Sequence, residues 1–171
     1  MTLLEYLIQK NKNMILNSLY QNTIYKNKTL CEYFGVESKT KKSGKDFNNL
    51  VYNIVYDLPK FDYNDFLKNI DKYKKYPELY LRVDYKLIQI KDILILIDKY
   101  KDSEEIPVSF YTPSFFSRCY KVLWLNKNTG IVEVKYCKNK DEYLNSIGNY
   151  LHMDLINILD SISYDDYKDL F

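Results

Sequence analysis

The sequence predicts an α/β protein of the α+β kind, a central mixed β-sheet flanked by helices, and three observations predict it. Apolar residues recur at intervals of three and four along the N-terminal part, the interval becomes two after Pro77, and helical spacing returns from Leu144. A chain of 171 residues that is 46% hydrophobic buries one substantial core, so a single domain over 1–171 is expected. Within it, 1–75 is mainly helical, 78–137 carries the sheet and 140–171 is helical again.

Leu3, Leu4 and Leu7, then Met14, Ile15 and Leu19, lie at helical spacing and predict an amphipathic helix or pair of helices. Lys28 to Tyr33 suits a short helix closed by Gly35, where a left-handed cap is easiest. The polar, lysine-rich stretch ESKTKKSGKD follows as a loop. Phe47, Leu50, Val51, Ile54, Val55 and Leu58 define the next helix, with Ser43 as N-cap and Pro59 as stop. Asp62 is placed to cap another, with Phe66, Leu67 and Ile70 on one face. Beyond Pro77, Leu79, Leu81, Val83, Tyr85 and Leu87 alternate with Tyr80, Arg82, Asp84, Lys86 and Ile88, the pattern of a strand with one apolar face. The continuous run Ile93 to Ile97 suits a strand buried on both faces. Further strands come from VSFYTP and from KVLWLN-KNTG-IVEVKYC, a hairpin whose Gly130 takes positive φ and whose Trp124 is expected in the core. Leu144 to Leu159 reads as a helix, and SYDDYKDLF as a short acidic helix or frayed tail.

The 25 basic residues are nearly balanced by 23 acidic ones, so the net charge of +2 does not announce a nucleic-acid binder, and distribution must decide. Arg82 and Arg118 are the only arginines; the remaining positive charge is lysine, which supplies point charge rather than a bidentate fork. The excess of Lys, Asn, Ile and Tyr over Ala, Gly, Pro and Arg matches the codon bias of an AT-rich genome, such as that of a low-GC bacterium or its phages. Cys31, Cys119 and Cys137 are widely spaced without a zinc pattern and read as reduced thiols. His152 is the only histidine, which leaves little room for a histidine-assisted nucleophile. GxGxxG and Walker patterns are absent, so nucleotide-dependent chemistry is not expected. The N-terminal stretch has no basic n-region, and no apolar run approaches the ~18 residues of a membrane span, so a cytoplasmic protein is expected.

One pattern carries chemistry. Along a single strand, Asp84 and Lys86 share a face, and Glu78 lies upstream in Pro77-Glu78. Two acids and a lysine are what Mg²⁺-dependent phosphodiester cleavage needs: the acids hold the metal, and the lysine positions water or neutralises developing charge. Glu133-Val134-Lys135 repeats the acid-x-Lys spacing, and on spacing alone a solvated strand face with a cross-strand ion pair is the commoner meaning in a chain with 28% charged residues. Lys39, Lys41, Lys42 and Lys45 crowd ahead of a helix start, where lysine is mildly unfavourable against the dipole unless a phosphate binds there.

The order of KNKTLCEYFGVESKTKKSGKDFNNLVYNIV, VDYKLIQIK, LILIDKY and SFFSRCYKVLWLN resembles the MutH family of DNA-nicking mismatch-repair enzymes and related GATC-cutting restriction endonucleases. The likeness is one of pattern, over roughly residues 14 to 160. It implies a restriction-endonuclease-like fold, with Glu78 and Asp84 as metal-binding acids, Lys86 as catalytic lysine, Mg²⁺ as cofactor and duplex DNA as partner. Two departures stand out: FNNLVYNIV lacks the glutamate usual in that helix, and Asp replaces Glu at 84. Some relatives carry a degenerate copy of the fold that has lost the metal ligands and binds DNA.

Three readings follow. The first is a Mg²⁺-dependent DNA endonuclease. The second is a degenerate fold that binds duplex DNA through Lys39, Lys41, Lys42, Lys45 and Arg82 and needs no cofactor. The third rests on size and tyrosine content: a small phage or mobile-element inhibitor, of anti-CRISPR or anti-restriction type, that docks on a host nuclease.

Overall fold

The computed structural model describes residues 1–84, 86–111, 120–137 and 155–170, and the architecture is α+β. The chain divides into two compact units, one formed by Met1–Leu58 with Met153–Phe171 and the other by Pro59–His152.

The first unit begins with α1 (Leu3–Lys10), whose start is fixed by a capping box: Thr2 Oγ1 accepts from the Glu5 amide while the Glu5 carboxylate accepts from the Thr2 amide. Leu3, Leu4, Leu7 and Ile8 are fully buried, each contributing about 1.5–3 kcal/mol by leaving water. α1 packs on α8 (Leu155–Ser161) and α9 (Tyr164–Tyr167), the last helices of the chain. The Leu3 amide donates to Ile162 O (2.8 Å), the Tyr164 amide donates to Met1 O (3.1 Å), and Tyr6 stacks on Tyr164 with centroids 3.9 Å apart. Tyr167 and Leu170 are buried, so the acidic end is a docked helix.

α2 (Lys12–Leu16) and a 3₁₀ turn (Leu19–Asn22) lead into a small antiparallel pair, β1 (Ile24–Tyr25) and β2 (Lys28–Thr29). Its turn residues Lys26 and Asn27 both have positive φ, 50° and 66°, as the right-handed strand twist demands of a two-residue turn. α3 (Leu30–Phe34) starts two residues later than expected because Lys28 and Thr29 pair as β2, and it ends at Gly35 in the left-handed region (φ 72°), the cap that the sequence predicts. α4 (Phe47–Ile54) follows a loop and runs into a 3₁₀ turn (Val55–Asp57). Its N-cap is Asp46 rather than Ser43, because Asp46 directly precedes the first helical residue and its Oδ1 accepts from the Asn48 amide at 2.9 Å.

In the second unit, Asp62 caps α5 (Tyr63–Lys68) as expected, accepting from the Asp65 amide at 2.8 Å. α6 (Ile70–Tyr73) follows, and Phe66 is fully buried between Phe61 and Tyr73. Next come β3 (Tyr80–Val83) and β4 (Lys86–Gln89), an antiparallel hairpin, then α7 (Ile90–Lys99). β5 (Glu105–Tyr111), β6 (Tyr120–Asn126) and β7 (Val132–Cys137) form an antiparallel sheet in the order 5-6-7, with a register shift between Pro107 and Ser109 and Gly130 at φ 71°.

Among the described residues the strands therefore make three small antiparallel sheets, where one central mixed sheet was expected. Two local errors account for this. Ile93 to Ile97 belongs to α7: Ile90, Ile93 and Leu96 turn inward while Ile95 is 63% exposed, a helical period that a five-residue apolar run conceals. The alternating run from Leu79 to Ile88 is two strands, because the chain reverses at Asp84. Trp124 is half-buried rather than in the core, with Tyr100 edge-on at 5.8 Å and the Lys135 ammonium 5.6 Å from its ring. Lys127 is buried instead; its Nζ donates to Tyr100 O (2.7 Å) and Lys101 O (3.2 Å) at the end of α7 and lies 5.2 Å from the Tyr63 ring centroid. Residues 144–154 of the expected C-terminal helix lie outside the described residues, as do Tyr85, Arg118, Cys119 and His152.

Candidate functional site

The hairpin decides the arrangement of Glu78, Asp84 and Lys86. Val83 pairs with Lys86 and Leu81 with Ile88, and partners in an antiparallel pair project to the same face. Lys86 thus joins Leu81, Val83 and Ile88 on the inward face, where burial pulls its ammonium below the ordinary lysine range. Asp84 lies in the turn at φ 53°, exposed, and its carbonyl accepts from Arg82 Nη1 at 2.9 Å. The shared strand face expected for Asp84 and Lys86 is not formed.

Arg82 is half-buried, and its strand is anchored to the segment ahead of α5: the Phe61 amide donates to Arg82 O (2.8 Å) and the Arg82 amide to Pro59 O (2.9 Å). Glu78 sits at the opposite, open end of the hairpin. Its Oε2 accepts from Lys91 Nζ at 3.2 Å and from Gln89 Nε2 at 3.4 Å, and it is 72% exposed. At roughly 3.3 Å per residue, the four-residue ladder puts about 10 Å or more between Glu78 and Asp84. A Mg²⁺ ion takes oxygen ligands at about 2.0–2.1 Å, so these two acids do not fit one ion. Among the described residues, no three acid, cysteine or histidine side chains gather as a metal-holding group. Beside Glu78 lies Asp92, which the sequence did not single out; burial holds its carboxyl above the usual range, opposed by Lys91 and reinforced by Glu78.

The basic loop of residues 38–45 is a different kind of feature. Lys39, Lys41, Lys42 and Lys45 are all exposed, yet the backbone that carries them is tied down from beneath. Gln21 Oε1 accepts from the Lys39 amide (2.8 Å), Asn22 Nδ2 donates to Thr40 O (2.9 Å) and Lys42 O (2.7 Å), and Thr23 Oγ1 donates to Lys45 O (2.6 Å). Gln21 and Thr23 are themselves buried. Gly44 presses so closely on Asn22 and Thr23 that a Cβ there would overlap their backbone. Lys39 Nζ donates to Asn17 Oδ1 at 3.0 Å, and the Lys45 ammonium lies 5.4 Å from the Tyr20 ring centroid.

The start of α4 differs from the expectation of a phosphate at the helix end. The Asp46 carboxylate already occupies the N-terminal amide of Asn48, so that amide is not open to an outside anion. Sequence reasoning found the four lysines and missed the polar residues Gln21, Asn22 and Thr23 that hold them. The one available signal was the glycine inside KKSGK.

Comparison with known proteins gave no matching family, no curated relative and no solved structure of matching fold.

Proposed function

We propose that this chain is a cytoplasmic DNA-binding protein that grips phosphates through residues 38–45 and does not cut. The observation that carries the reading is the loop itself: four exposed lysines on a backbone fixed by four side-chain hydrogen bonds from residues 21–23. Flexible lysines lose chain entropy on binding, whereas a loop already held in place loses little of it. DNA as the polyanion, and a restriction-endonuclease-like ancestry, rest on the sequence resemblance to MutH-type enzymes. The separation of Glu78 from Asp84 supports binding without metal-dependent cleavage.

The test is gel-shift or anisotropy binding across a salt series, with supercoiled plasmid and Mg²⁺ incubated in parallel. Four phosphate contacts predict a slope of log K against log[salt] of about −3 to −4. The double substitution Lys41→Gln with Lys42→Gln reduces that slope by about 2. Binding indifferent to salt or to the lysines refutes the reading, and nicking abolished by both Asp84→Asn and Lys86→Ala replaces it with the nuclease.

A second reading, the inhibitor that docks on a host nuclease, is favoured by one observation. Ile131, Val134 and Tyr136 are exposed on or beside β7, an edge strand among the described strands. Val134→Lys with Tyr136→Lys would then abolish inhibition of the nuclease and leave DNA binding unchanged.

A further inference from the structure

The helix that follows the basic loop turns an aromatic face outward. Leu50, Val51 and Ile54 bury the inner side of α4, while Tyr52 on α4 and Tyr56 in the 3₁₀ turn that continues it, four residues apart, are each 47% exposed. Along helical and 3₁₀ backbone that separation is about 6–8 Å, roughly one turn. Asn48, Asn49 and Asn53 share this exposure.

Loop and face are physically continuous. The Lys45 ammonium covers the ring of Tyr20, and Asn53 Nδ2 donates to the Tyr20 hydroxyl at 2.9 Å, so Tyr20 joins the last loop lysine to the exposed side of α4. Between residues 38 and 58 the only carboxylates are Asp46, which caps α4, and Asp57, which accepts from Asn11 Nδ2 at 2.7 Å. These two carboxylates, and Glu37 just before the loop, are outnumbered by Lys39, Lys41, Lys42 and Lys45.

We propose that Tyr52 and Tyr56 are a stacking platform for unpaired bases of a single nucleic-acid strand whose phosphates lie on the lysines of residues 38–45. The proposal rests on the DNA-binding reading above and narrows its substrate. A duplex hides the faces of its bases, so exposed rings gain stacking only from unpaired ones. Stacking is also sequence-tolerant, which suits a chain with two arginines and little means of reading base edges.

The experiment compares three fluorescent ligands of equal length at one salt concentration: single-stranded oligo-dT, an abasic strand with the same phosphates, and a duplex. Oligo-dT binds the intact chain more tightly than either of the others. Tyr52→Leu and Tyr56→Leu each weaken oligo-dT by about fivefold or more and leave the abasic strand and the duplex unchanged. The Tyr→Phe variants bind as the parent does, and thermal unfolding of all variants is compared to exclude misfolding. Equal affinity for dT and abasic strands, or tyrosine variants that bind dT like the parent, overturns the platform while leaving the lysine loop standing. Failure of the intact chain to bind any of the three removes both proposals.

Discussion

Gly44 offers the sharpest test of whether the basic loop is held as described. Replacing its hydrogen by a methyl group puts a Cβ within 3.0 Å of Thr23 N and of Asn22 C and O. Those backbone atoms have nowhere to go, since the Thr23 amide donates to Tyr20 O (3.0 Å) and Thr23 O accepts from the Leu30 amide (3.0 Å). The loop must retreat instead, stretching the Thr23 hydroxyl bond to Lys45 O and the Asn22 bond to Lys42 O. Overpacking costs about 1–3 kcal/mol and a weakened buried hydrogen bond about 1 more, so Gly44→Ala is expected to destabilise by about 2–4 kcal/mol. For a chain of this length that is a fall in Tm of roughly 4–16 °C. Circular dichroism melting of Gly44→Ala beside Gly35→Ala separates close approach from backbone conformation, because Gly35 meets nothing within 4 Å and suffers only from its positive φ. A Gly44→Ala melting temperature within about 1 °C of the parent would show that the loop does not lie against residues 22 and 23.

Lys127→Met removes the donor to Tyr100 O and Lys101 O and leaves two carbonyls at the end of α7 short of a partner; urea unfolding should show a loss of about 1–3 kcal/mol. At Asp84, φ 53° suits glycine better than aspartate, so Asp84→Gly should raise stability by up to about 1 kcal/mol while Asp84→Val lowers it, an order that a buried metal ligand would not produce. Tyr73 ionises late: burial first, then the hydrogen bond its hydroxyl donates to Asp65 Oδ2 (2.9 Å), push its pKa to about 12 from 10.0. Because the folded value is the higher, its contribution is complete below pH 10 and is lost as pH rises from 10 to about 12. Tyr73→Phe should flatten the fall of stability over that window, and an unchanged slope would count against the buried hydroxyl.

Local signals in the sequence were read well where a residue type has one conformational use. Gly35, Gly130 and the Asp62 cap stand where their chemistry places them, and the helix pair at the N-terminus follows its leucines. The site was misread where periodicity hides a reversal. Apolar alternation runs from Leu79 to Leu87 as though the strand were continuous, and a turn at Asp84 without glycine or proline gives no warning. A two-residue turn also shifts the parity of the inward positions, so Lys86 is carried to the apolar side that the alternation assigned to its neighbours. In the lysine loop the reverse held: the charged residues were plain, but their supports lie about twenty positions earlier, and no spacing rule links Asn22 to Lys42 or Thr23 to Lys45.

The pairing of Thr2 with Ser163 has a consequence for synthesis. α1 leaves the ribosome well before the helices Leu155–Ser161 and Tyr164–Tyr167 that cover Leu3, Leu4, Leu7 and Ile8. At about 5–20 residues per second, that apolar face waits roughly 7–30 seconds for its partners. The second unit, continuous in the chain, can close during that interval. The first unit therefore closes only after the second has been synthesised, because the residues that cover α1 follow it in the chain.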